Sequence, residues 1–143
     1  MNGGGSPLPV LDRDSRPWWE AVARHELNVQ TCEGCGRLRW PPRAMCGTCG
    51  SFSWRWTPAS GRGQVASWIV NRHPFFPGMA VPSVVVMVRL DDADDVLIPG
   101  GWAGSPDGSG LRVGLPVRVG FEENSEGVTL LVWRAEDGED RGR

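Results

Sequence analysis

The sequence predicts a mainly β protein in which a short N-terminal helix and a four-cysteine ribbon precede a five-stranded barrel. Two Cys-x-x-Cys pairs lie between Cys32 and Cys49 and contain all four cysteines of the chain. Downstream of Thr57, short stretches rich in β-branched residues alternate with turns rich in Gly, Pro and Asp, as antiparallel strands do. We expect a tail and helix over residues 1–27, the ribbon over 28–56, the barrel over 57–135 and a disordered tail over 136–143.

Composition sets limits on the class of protein. The chain has 143 residues, enough for one domain or two very small ones, and a formal net charge of −2. A zinc ion bound by four thiolates would add about −2 more, so general binding to nucleic-acid phosphates is disfavoured. Residues 1–9 have no signal-peptide pattern, and no apolar run approaches a membrane span. Because free thiolates suit a reducing compartment, we expect a soluble, cytoplasmic protein.

The first element is predicted to be a helix from about Arg16 to Glu26. Asp14 or Ser15 can cap it, and Pro17 lies in its first turn, where proline is tolerated. Trp18 and Trp19 belong to an apolar stripe at helical spacing. Two interpretations stay open with equal weight: the tryptophans pack on the chain's own β domain, or they anchor in a partner protein, where tryptophan is favoured.

The four cysteines are predicted to bind one structural Zn²⁺ through Cys32, Cys35, Cys46 and Cys49. Each Cys-x-x-Cys pair is followed by glycine, and ten residues separate the two segments. Zinc takes four ligands at tetrahedral corners, and tight glycine-containing turns let two cysteines reach one ion. Disulfides, another metal or a degenerate site are the alternatives. Four cysteine ligands leave no open position for a substrate, so the metal would stabilise the fold.

Three short strands should flank the cysteine knuckles, at 28–31, 37–40 and 51–56. The last of them alternates, with Phe52, Trp54 and Trp56 on one face, which we expect the barrel to cover. Five further strands are expected at 61–71, 82–90, 96–99, 115–121 and 128–133. A longer connection follows the third of these, which suggests a Greek-key barrel of the oligonucleotide/oligosaccharide-binding (OB) type. A small open sandwich has the same periodicity.

No catalytic constellation emerges from the sequence. Gly61-x-Gly63 lacks the third glycine and the following helix of a dinucleotide fingerprint. The turn at Asp91–Asp95 lacks the spacing of a calcium loop. His73 has no spare cysteine to activate. From Thr57 onward, eight arginines face twelve carboxylates, so single-stranded nucleic-acid binding by the barrel is a weak alternative.

Several short motifs occur in an order that resembles the DUF35 family. They are Asp14-Ser15-Arg16-Pro17-Trp18-Trp19-Glu20, Gln30-Thr31-Cys32-x-x-Cys35-Gly36, Trp40-Pro41-Pro42-Arg43 before Cys46-x-x-Cys49, Ser60-Gly61-x-Gly63, and Val113-Gly114-x-Pro116-Val117. The resemblance covers roughly residues 7–134. It implies an N-terminal helix, a rubredoxin-like zinc ribbon and an OB-fold.

The resemblance also implies a role as an accessory subunit without its own catalysis. The implied partner is a thiolase-fold acyl-CoA enzyme, first among them a lipid-transfer-protein-like aldolase of steroid side-chain degradation, in an α2β2 hetero-oligomer. This chain would stabilise the partner and help form its acyl-CoA site. A MaoC-like enoyl-CoA hydratase, a thiolase or an acyltransferase is the alternative partner. The acyl group, the reaction and direct contact with CoA stay open.

Candidate ligand contacts follow from residue chemistry beside that resemblance. Arg39, Trp40 and Arg43 lie near the ribbon and offer positive charge and a stacking face for CoA. The competing interpretation has Trp40 in the core and the arginines in solvent. Phe75 and Phe76, on a Pro-bounded loop, need a cover that a partner or an acyl chain would supply, as for Trp18 and Trp19.

Two stretches depart from the family pattern. The acidic turn Asp91–Asp95 is longer than the family's, and Pro99-Gly100-Gly101-Trp102 is unusually rich in glycine. If that hairpin faces the acyl chain, we expect a substrate preference that differs from the common members.

Overall fold

The computed structural model describes residues 9–136. The glycine run at residues 3–5, which is expected to be disordered or to dock on a partner, and the charged stretch 137–143, predicted to be disordered, lie outside the described residues. Glu136, predicted as the first residue of that tail, forms an ion pair with Arg62, with 2.6 Å between Glu136 Oε2 and Arg62 Nη1. Its N–H donates to the Pro116 carbonyl.

The described residues form one helix and eight strands. Their bounds are α1 Arg16–Ala23, β1 Asn28–Cys32, β2 Leu38–Arg39, β3 Trp54–Pro58, β4 Arg62–Asn71, β5 Ser83–Leu90, β6 Leu97–Trp102, β7 Pro116–Glu123 and β8 Thr129–Ala135. No helix among residues 9–136 has the length and apolar character needed to cross a membrane.

Helix α1 packs on the chain's own β domain through part of its apolar stripe, while Trp19 is only half-buried. Trp18, Ala21 and Val22 are its buried residues. The helix ends at Ala23, three residues earlier than predicted. The His25 N–H donates to Val22 O, the Glu26 N–H donates to Ala21 O, and His25 adopts φ 64°. This is a Schellman motif, which stops a helix by satisfying its last carbonyls, with histidine in the left-handed position.

The ribbon strands form a three-stranded sheet in the order β2-β1-β3. Strand β3 begins at Trp54 rather than at residue 51, so Phe52 lies outside it and is 72% exposed. The expected cover over the aromatic face is therefore incomplete. Trp56 packs against the core, while Trp54 stays half-buried with its ring edge on Trp56, 5.0 Å between ring centroids.

The last five strands close into a barrel in the order β4-β5-β6-β8-β7. Strands β6 and β8 run parallel, and all other neighbours are antiparallel. Pairing of β4 with β7 closes the barrel and excludes the open sandwich. The fold is thus mainly β, with a helix, a ribbon and a five-stranded OB-type barrel, as the sequence predicts.

Strand β6 extends three residues beyond its predicted end at Pro99. Gly100 and Gly101 continue the pairing with β5, and Gly101 also pairs with Val132 of β8. Glycines discourage a strand in a sequence pattern, but neighbours on both sides hold this stretch extended.

One hydrophobic core joins the helix, the ribbon and the barrel. Val22 of α1, Val29 of β1 and the barrel residues Val86, Ile98 and Trp133 are all at most 1% exposed and belong to one cluster. The ribbon is therefore held against the barrel by shared burial of apolar side chains.

Candidate metal centre and adjoining clefts

The four cysteine sulfurs converge at one end of the ribbon. All four Sγ atoms lie within 4.8 Å of one another, with 3.6 Å between Cys32 and Cys49 and 3.8 Å between Cys35 and Cys46. Four thiolates at tetrahedral corners, each about 2.3 Å from zinc, would lie about 3.8 Å apart. The donor set and its spacing therefore fit one Zn²⁺, and the sulfurs are too far apart for disulfides.

The two cysteine knuckles have the same backbone geometry. The N–H groups of Cys32 and Cys46 donate to the carbonyls five residues on, Arg37 and Ser51. Their carbonyls accept from the N–H groups of Gly36 and Gly50, and all four of these distances are 2.9 Å. Gly36 and Gly50 both adopt φ 81°, a left-handed conformation that glycine reaches without strain. The glycine after each pair therefore forms the turn that aims both sulfurs at one point.

Backbone amides surround the sulfurs that lie deepest. Cys32 and Cys46 are buried, whereas Cys35 and Cys49 are exposed. The N–H groups of Cys49 and Thr48 donate to Cys46 Sγ and lower its pKa to about 6. The Cys35 N–H chiefly lowers the pKa of Cys32 in the same way. Such N–H···S bonds favour the thiolate, which is the form that binds metal.

Cys49 shows the opposite shift. The Ser51 N–H lowers the pKa of its thiol, but the neighbouring sulfurs, Cys32 first, raise it further, so that it reaches about 11. Four closely spaced thiolates repel one another unless a cation lies among them. A bound metal ion would provide that positive charge and stabilise the ribbon. A site with four protein ligands has no open position for a substrate, so its role would be structural.

Contacts with the barrel hold the ribbon in place. Arg37 forms an ion pair with Asp95, which lies in the acidic turn of the β5–β6 hairpin. The same turn contacts the chain before β4, where Asp92 accepts hydrogen bonds from the hydroxyl and the N–H of Ser60 at 2.6 and 3.0 Å. The acidic turn is thus a structural link. The sequence contains no signal for these pairs, since 58 and 32 residues separate the partners.

Beside the metal centre lies a small cleft, here called the arginine pocket. It has a volume of about 140 Å³ and is lined by Arg37, Leu38, Arg39, Trp40, Arg43, Cys46, Gly47, Thr48 and Asp95. Arg39 and Arg43 are held there by backbone contacts: Arg39 Nη2 donates to Arg43 O, and the Arg43 N–H donates to Gln30 Oε1, each at 2.9 Å. The sequence-predicted trio Arg39, Trp40 and Arg43 is therefore brought together.

Arg39 has an incomplete set of partners. Its side chain is only 9% exposed, and its Nε and Nη1 atoms are buried with no hydrogen-bond partner among the described residues. Its neighbour Arg37 is paired with Asp95, but within residues 9–136 no carboxylate forms an ion pair with Arg39 or Arg43. Arg39 is therefore buried, whereas Arg43 is exposed and Trp40 packs against the core, as the competing interpretation expected. The buried guanidinium of Arg39 has donors free for an anion.

A second, apolar cleft opens between α1, the ribbon and the barrel. It has a volume of about 330 Å³ and is lined by Trp18, Trp19, Trp40, Val85, Pro99, Gly100, Gly101, Leu130 and Leu131. Trp40 lines both clefts, and the three indoles form a row, with ring centroids 4.8 Å apart for Trp18–Trp19 and 5.6 Å for Trp18–Trp40. The glycine-rich stretch noted in the sequence is one wall of this apolar cleft.

The four predicted partner or acyl contacts occupy different environments. Trp18 is 4% exposed and donates from Nε1 to Asn28 O at 3.0 Å, so it is a core residue and not an exposed docking anchor. Trp19 is half-buried and faces the apolar cleft. Phe75 is 73% exposed, whereas Phe76 is half-buried, and neither lines either cleft.

Models of known protein families match both the ribbon and the barrel of this chain. The family model described as the ChsH2 rubredoxin-like zinc ribbon domain matches residues 19–55, and that described as the ChsH2 C-terminal OB-fold domain matches residues 56–122. A solved structure titled Ltp2-ChsH2(DUF35) aldolase superposes with a TM-score of 0.81 at 36% identity. The match covers 91% of this chain and 100% of that chain.

Two curated relatives are much longer proteins. A probable enoyl-CoA hydratase alpha subunit of Thermomonospora curvata is 38% identical over 90% of this chain and 39% of its own length. A 3-oxo-4,17-pregnadiene-20-carboxyl-CoA hydratase alpha subunit of Mycobacterium tuberculosis is 30% identical over 90% of this chain and 40% of its own. This chain spans about two fifths of their length. Matches to both domain models and to the whole solved chain show that it belongs to the DUF35 family, with a rubredoxin-like zinc ribbon and an OB-fold.

Proposed function

We propose that this chain is a non-catalytic, zinc-binding OB-fold subunit that docks on and stabilises a thiolase-fold acyl-CoA enzyme. The preferred partner is a lipid-transfer-protein-like aldolase in steroid side-chain degradation, in an α2β2 complex. The observation that carries the proposal is the likeness along the whole chain to the solved chain titled Ltp2-ChsH2(DUF35) aldolase, with a TM-score of 0.81. A cytoplasmic location accords with thiolate ligands.

The described residues offer support for a role without catalysis. The candidate metal centre has four protein ligands and no open position for a substrate. Both histidines are exposed and their rings face phenylalanines, His25 on Phe121 and His73 on Phe75. Neither side chain hydrogen-bonds to a cysteine or a carboxylate within residues 9–136, so no nucleophile–base pair is assembled there.

Within this role, Arg39, Arg43 and Trp40 are the proposed contacts to CoA. Two arginines without ion-pair partners among the described residues, next to an indole, match a phosphate-bearing ligand with an aromatic base. The arginine pocket is small, about 140 Å³. It would therefore hold a phosphate group rather than a whole nucleotide, and the partner would enclose the rest.

A second candidate is a subunit of a MaoC-like enoyl-CoA hydratase. The observation that favours it is that both curated relatives are named hydratase alpha subunits and continue well beyond the part that this chain matches. The same docking role would then apply to a different acyl-CoA reaction. Single-stranded nucleic-acid binding is the remaining class, and the acidic balance of the barrel disfavours it.

The test is affinity purification of the tagged full chain from its own host, with mass spectrometry of stoichiometric co-eluting proteins. We expect a thiolase-fold subunit at a fixed ratio. Recovery of a MaoC-like protein in its place would select the hydratase role. Recovery of nucleic acid, or of no partner, would overturn the accessory-subunit proposal.

A further inference from the structure

The ribbon sheet has a free strand edge, which the barrel lacks. Within residues 9–136, β4–β8 close into a barrel, so the only sheet edges belong to β2 and β3 of the ribbon. Strand β2 has two residues, and Pro41 and Pro42 follow it closely, so its edge offers little to another strand. Strand β3 has five residues and pairs only with β1 among the described residues. The outer edge of β3 is therefore unpaired there.

The register of β3 shows which backbone groups lie at that outer edge. The Glu33 N–H donates to Ser53 O at 2.9 Å, in continuation of the β1–β3 pairing. Hydrogen-bonded and non-hydrogen-bonded pairs alternate along an antiparallel ladder, so Arg55 bonds β1 again. Trp54 and Trp56 occupy the alternate positions, and their N–H and C=O groups point away from β1. These four groups form a template to which the backbone of another extended strand can bond.

The side chains along this edge differ between its two faces. At one face, Trp54 is half-buried with its ring edge on Trp56, and Phe52, just before the strand, is 72% exposed. At the other face, Arg55 is exposed, and no carboxylate of residues 9–136 forms an ion pair with it. The complementary strand therefore has apolar side chains on one face and an acidic side chain on the other.

A second copy of this chain fits the edge poorly. If two β3 strands paired antiparallel and exchanged all the outward bonds of Trp54 and Trp56, each Arg55 would lie directly opposite the other. Like charges in that position destabilise a strand pair. A register shifted by two residues would pair a tryptophan either with Pro58, which has no N–H, or with Phe52, which lies outside the strand. An acidic residue of a different protein would instead neutralise Arg55.

We propose that the outer edge of β3 binds an extended segment of a partner protein in antiparallel pairing. That segment has an acidic residue opposite Arg55 and apolar residues on either side of it, next to Trp54 and Trp56. Backbone hydrogen bonds supply the affinity, and the side chains of the edge select the sequence. The inference rests on the proposed docking function for the existence of a partner, and it adds to that function the docking edge and the chemistry of the docked segment.

The first test uses a blocked peptide as a probe of the zinc-loaded full chain. The peptide is acetyl-Gly-Ser-Thr-Val-Glu-Val-Thr-Ser-Gly-amide, and amide NMR follows its binding. We expect it to shift the amide signals of residues 53–57 and to bind at least about tenfold more tightly than the same peptide with lysine in place of glutamate. Methylation of the two valine nitrogens removes the N–H groups that would donate to Trp54 and Trp56, and it should abolish binding.

Two substitutions at one position separate backbone pairing from side-chain contact. Trp54→Pro and Trp54→Ala both remove the indole, but only proline removes the outward N–H. Proline is tolerated on an edge strand where the N–H faces away from the sheet, so slow hydrogen exchange of the Arg55 amide should persist in both. We expect Trp54→Pro to bind the glutamate peptide at least about fivefold more weakly than Trp54→Ala. If Trp54→Pro fails to fold, the methylated peptide provides the same comparison.

The charge contact has its own variant. Arg55→Glu should reverse the preference between the glutamate and lysine peptides, since the exposed side chain then carries the opposite charge. Equal affinity of the native chain for the two peptides, no shift at residues 53–57, or an unchanged preference in Arg55→Glu would overturn the proposal.

The second test uses the complex recovered from the host. Hydrogen exchange at the amides of Trp54 and Trp56 should be at least about tenfold slower in the complex than in the free chain. Unchanged exchange in a stoichiometric complex would overturn the edge assignment and leave the docking function standing. Peptide selectivity without any recovered partner would contradict the docking function and leave the edge assignment standing. Edge protection in the free chain that rises with protein concentration would assign the edge to a second copy and overturn the proposal.

Discussion

At the scale of single residues, Arg39 is the side chain whose environment is least explained by folding alone. It is buried, its Nη2 bonds a carbonyl, and its Nε and Nη1 have no partner within the described residues. Two explanations differ in their consequences. Either the guanidinium waits for an external anion, or it offsets the negative charge of the thiolate centre, since Cys46 lines the same pocket.

Replacing Arg39→Met separates these explanations. Removing a buried unpaired charge stabilises the fold, and losing one hydrogen bond destabilises it by a similar amount. We therefore expect the free energy of unfolding to change by no more than about 1 kcal/mol. Affinity for CoA, measured by calorimetry, should fall about tenfold with zinc content unchanged. Arg37→Met, whose partner is Asp95, is the control and should retain most CoA affinity. Lower zinc content with unaltered CoA affinity would instead assign Arg39 to the metal centre.

The knuckle glycines give a second residue-scale prediction. Gly36 and Gly50 both have φ 81°, and the space where a Cβ would lie is open. The loss of stability on replacing either glycine therefore comes from backbone conformation alone. Gly36→Ala or Gly50→Ala should each lower the free energy of unfolding by about 1–2 kcal/mol in denaturant titrations. Gly47→Ala, at ordinary φ with its nearest contact at 3.7 Å, should be nearly neutral. Equal effects at all three positions would contradict this account.

At the scale of elements, the ribbon needs its four cysteine ligands to stay folded. The barrel does not, because it has its own hydrophobic core. Strand β2 has only two residues, and the two knuckles contribute little apolar burial. Cys35→Ser, or metal removal by a strong chelator, should expose the amides of residues 32–50 to hydrogen exchange and abolish partner binding. Amides of β4–β8 should remain protected, because the barrel has its own core. A Cys35→Ser protein with a protected ribbon and a bound partner would refute the structural-metal assignment.

The β6–β7 connection contains a carboxylate with a marked pKa shift. The hydroxyl and N–H of Ser109, and then the Ser105 hydroxyl, donate to Asp107 and lower the pKa of its carboxyl to about 2. Because the pKa is lower in the folded protein, the ionised carboxylate stabilises the loop at pH values above the unfolded pKa, near 3.8. This contribution is lost as pH falls through about 2.

NMR titration of the Asp107 carboxyl tests that shift. We expect a midpoint near pH 2 in the native protein, with loop amides 103–111 shifting over the same range. Ser109→Ala removes the hydroxyl donor, so its midpoint should move up toward the ordinary value. A native midpoint close to the ordinary value would mean that these hydrogen bonds do not form in solution.

At the scale of the whole molecule, one core joins three parts that have different roles. The helix closes the apolar cleft, the ribbon carries the metal ligands and the arginine pocket, and the barrel supplies the smooth glycine wall. Residues of all three parts line the apolar cleft. A truncation that removed α1 would expose the core residues that Trp18 and Val22 cover and would therefore disturb both clefts.

The purified chain alone should show no turnover of acyl-CoA substrates. The reason is structural: a metal centre with four protein ligands has no open position, and the two histidines lie against phenylalanines at the surface. Thiol release and product formation, followed with and without the co-purified partner, provide the measurement. Robust turnover by the partner-free protein would contradict an accessory role.

The sequence by itself determined the features that depend on local spacing. Two Cys-x-x-Cys-Gly segments specified the metal ligands because each knuckle is a local turn. The β-branched run over residues 82–90 predicted β5, which begins one residue later, at Ser83. Motif order identified the DUF35 family. Helix α1, by contrast, ended early, because a non-glycine residue took the left-handed position.

Only the tertiary structure decided what depends on contacts between distant segments. It buried Trp18, left Phe52 exposed, and extended β6 through two glycines held between β5 and β8. It also left two buried nitrogens of Arg39 without partners among residues 9–136, while pairing Arg37 with Asp95, 58 residues away. A pattern of residues records the period of a strand, but not which side chains meet across strands. The candidate clefts could therefore be identified only from the tertiary structure.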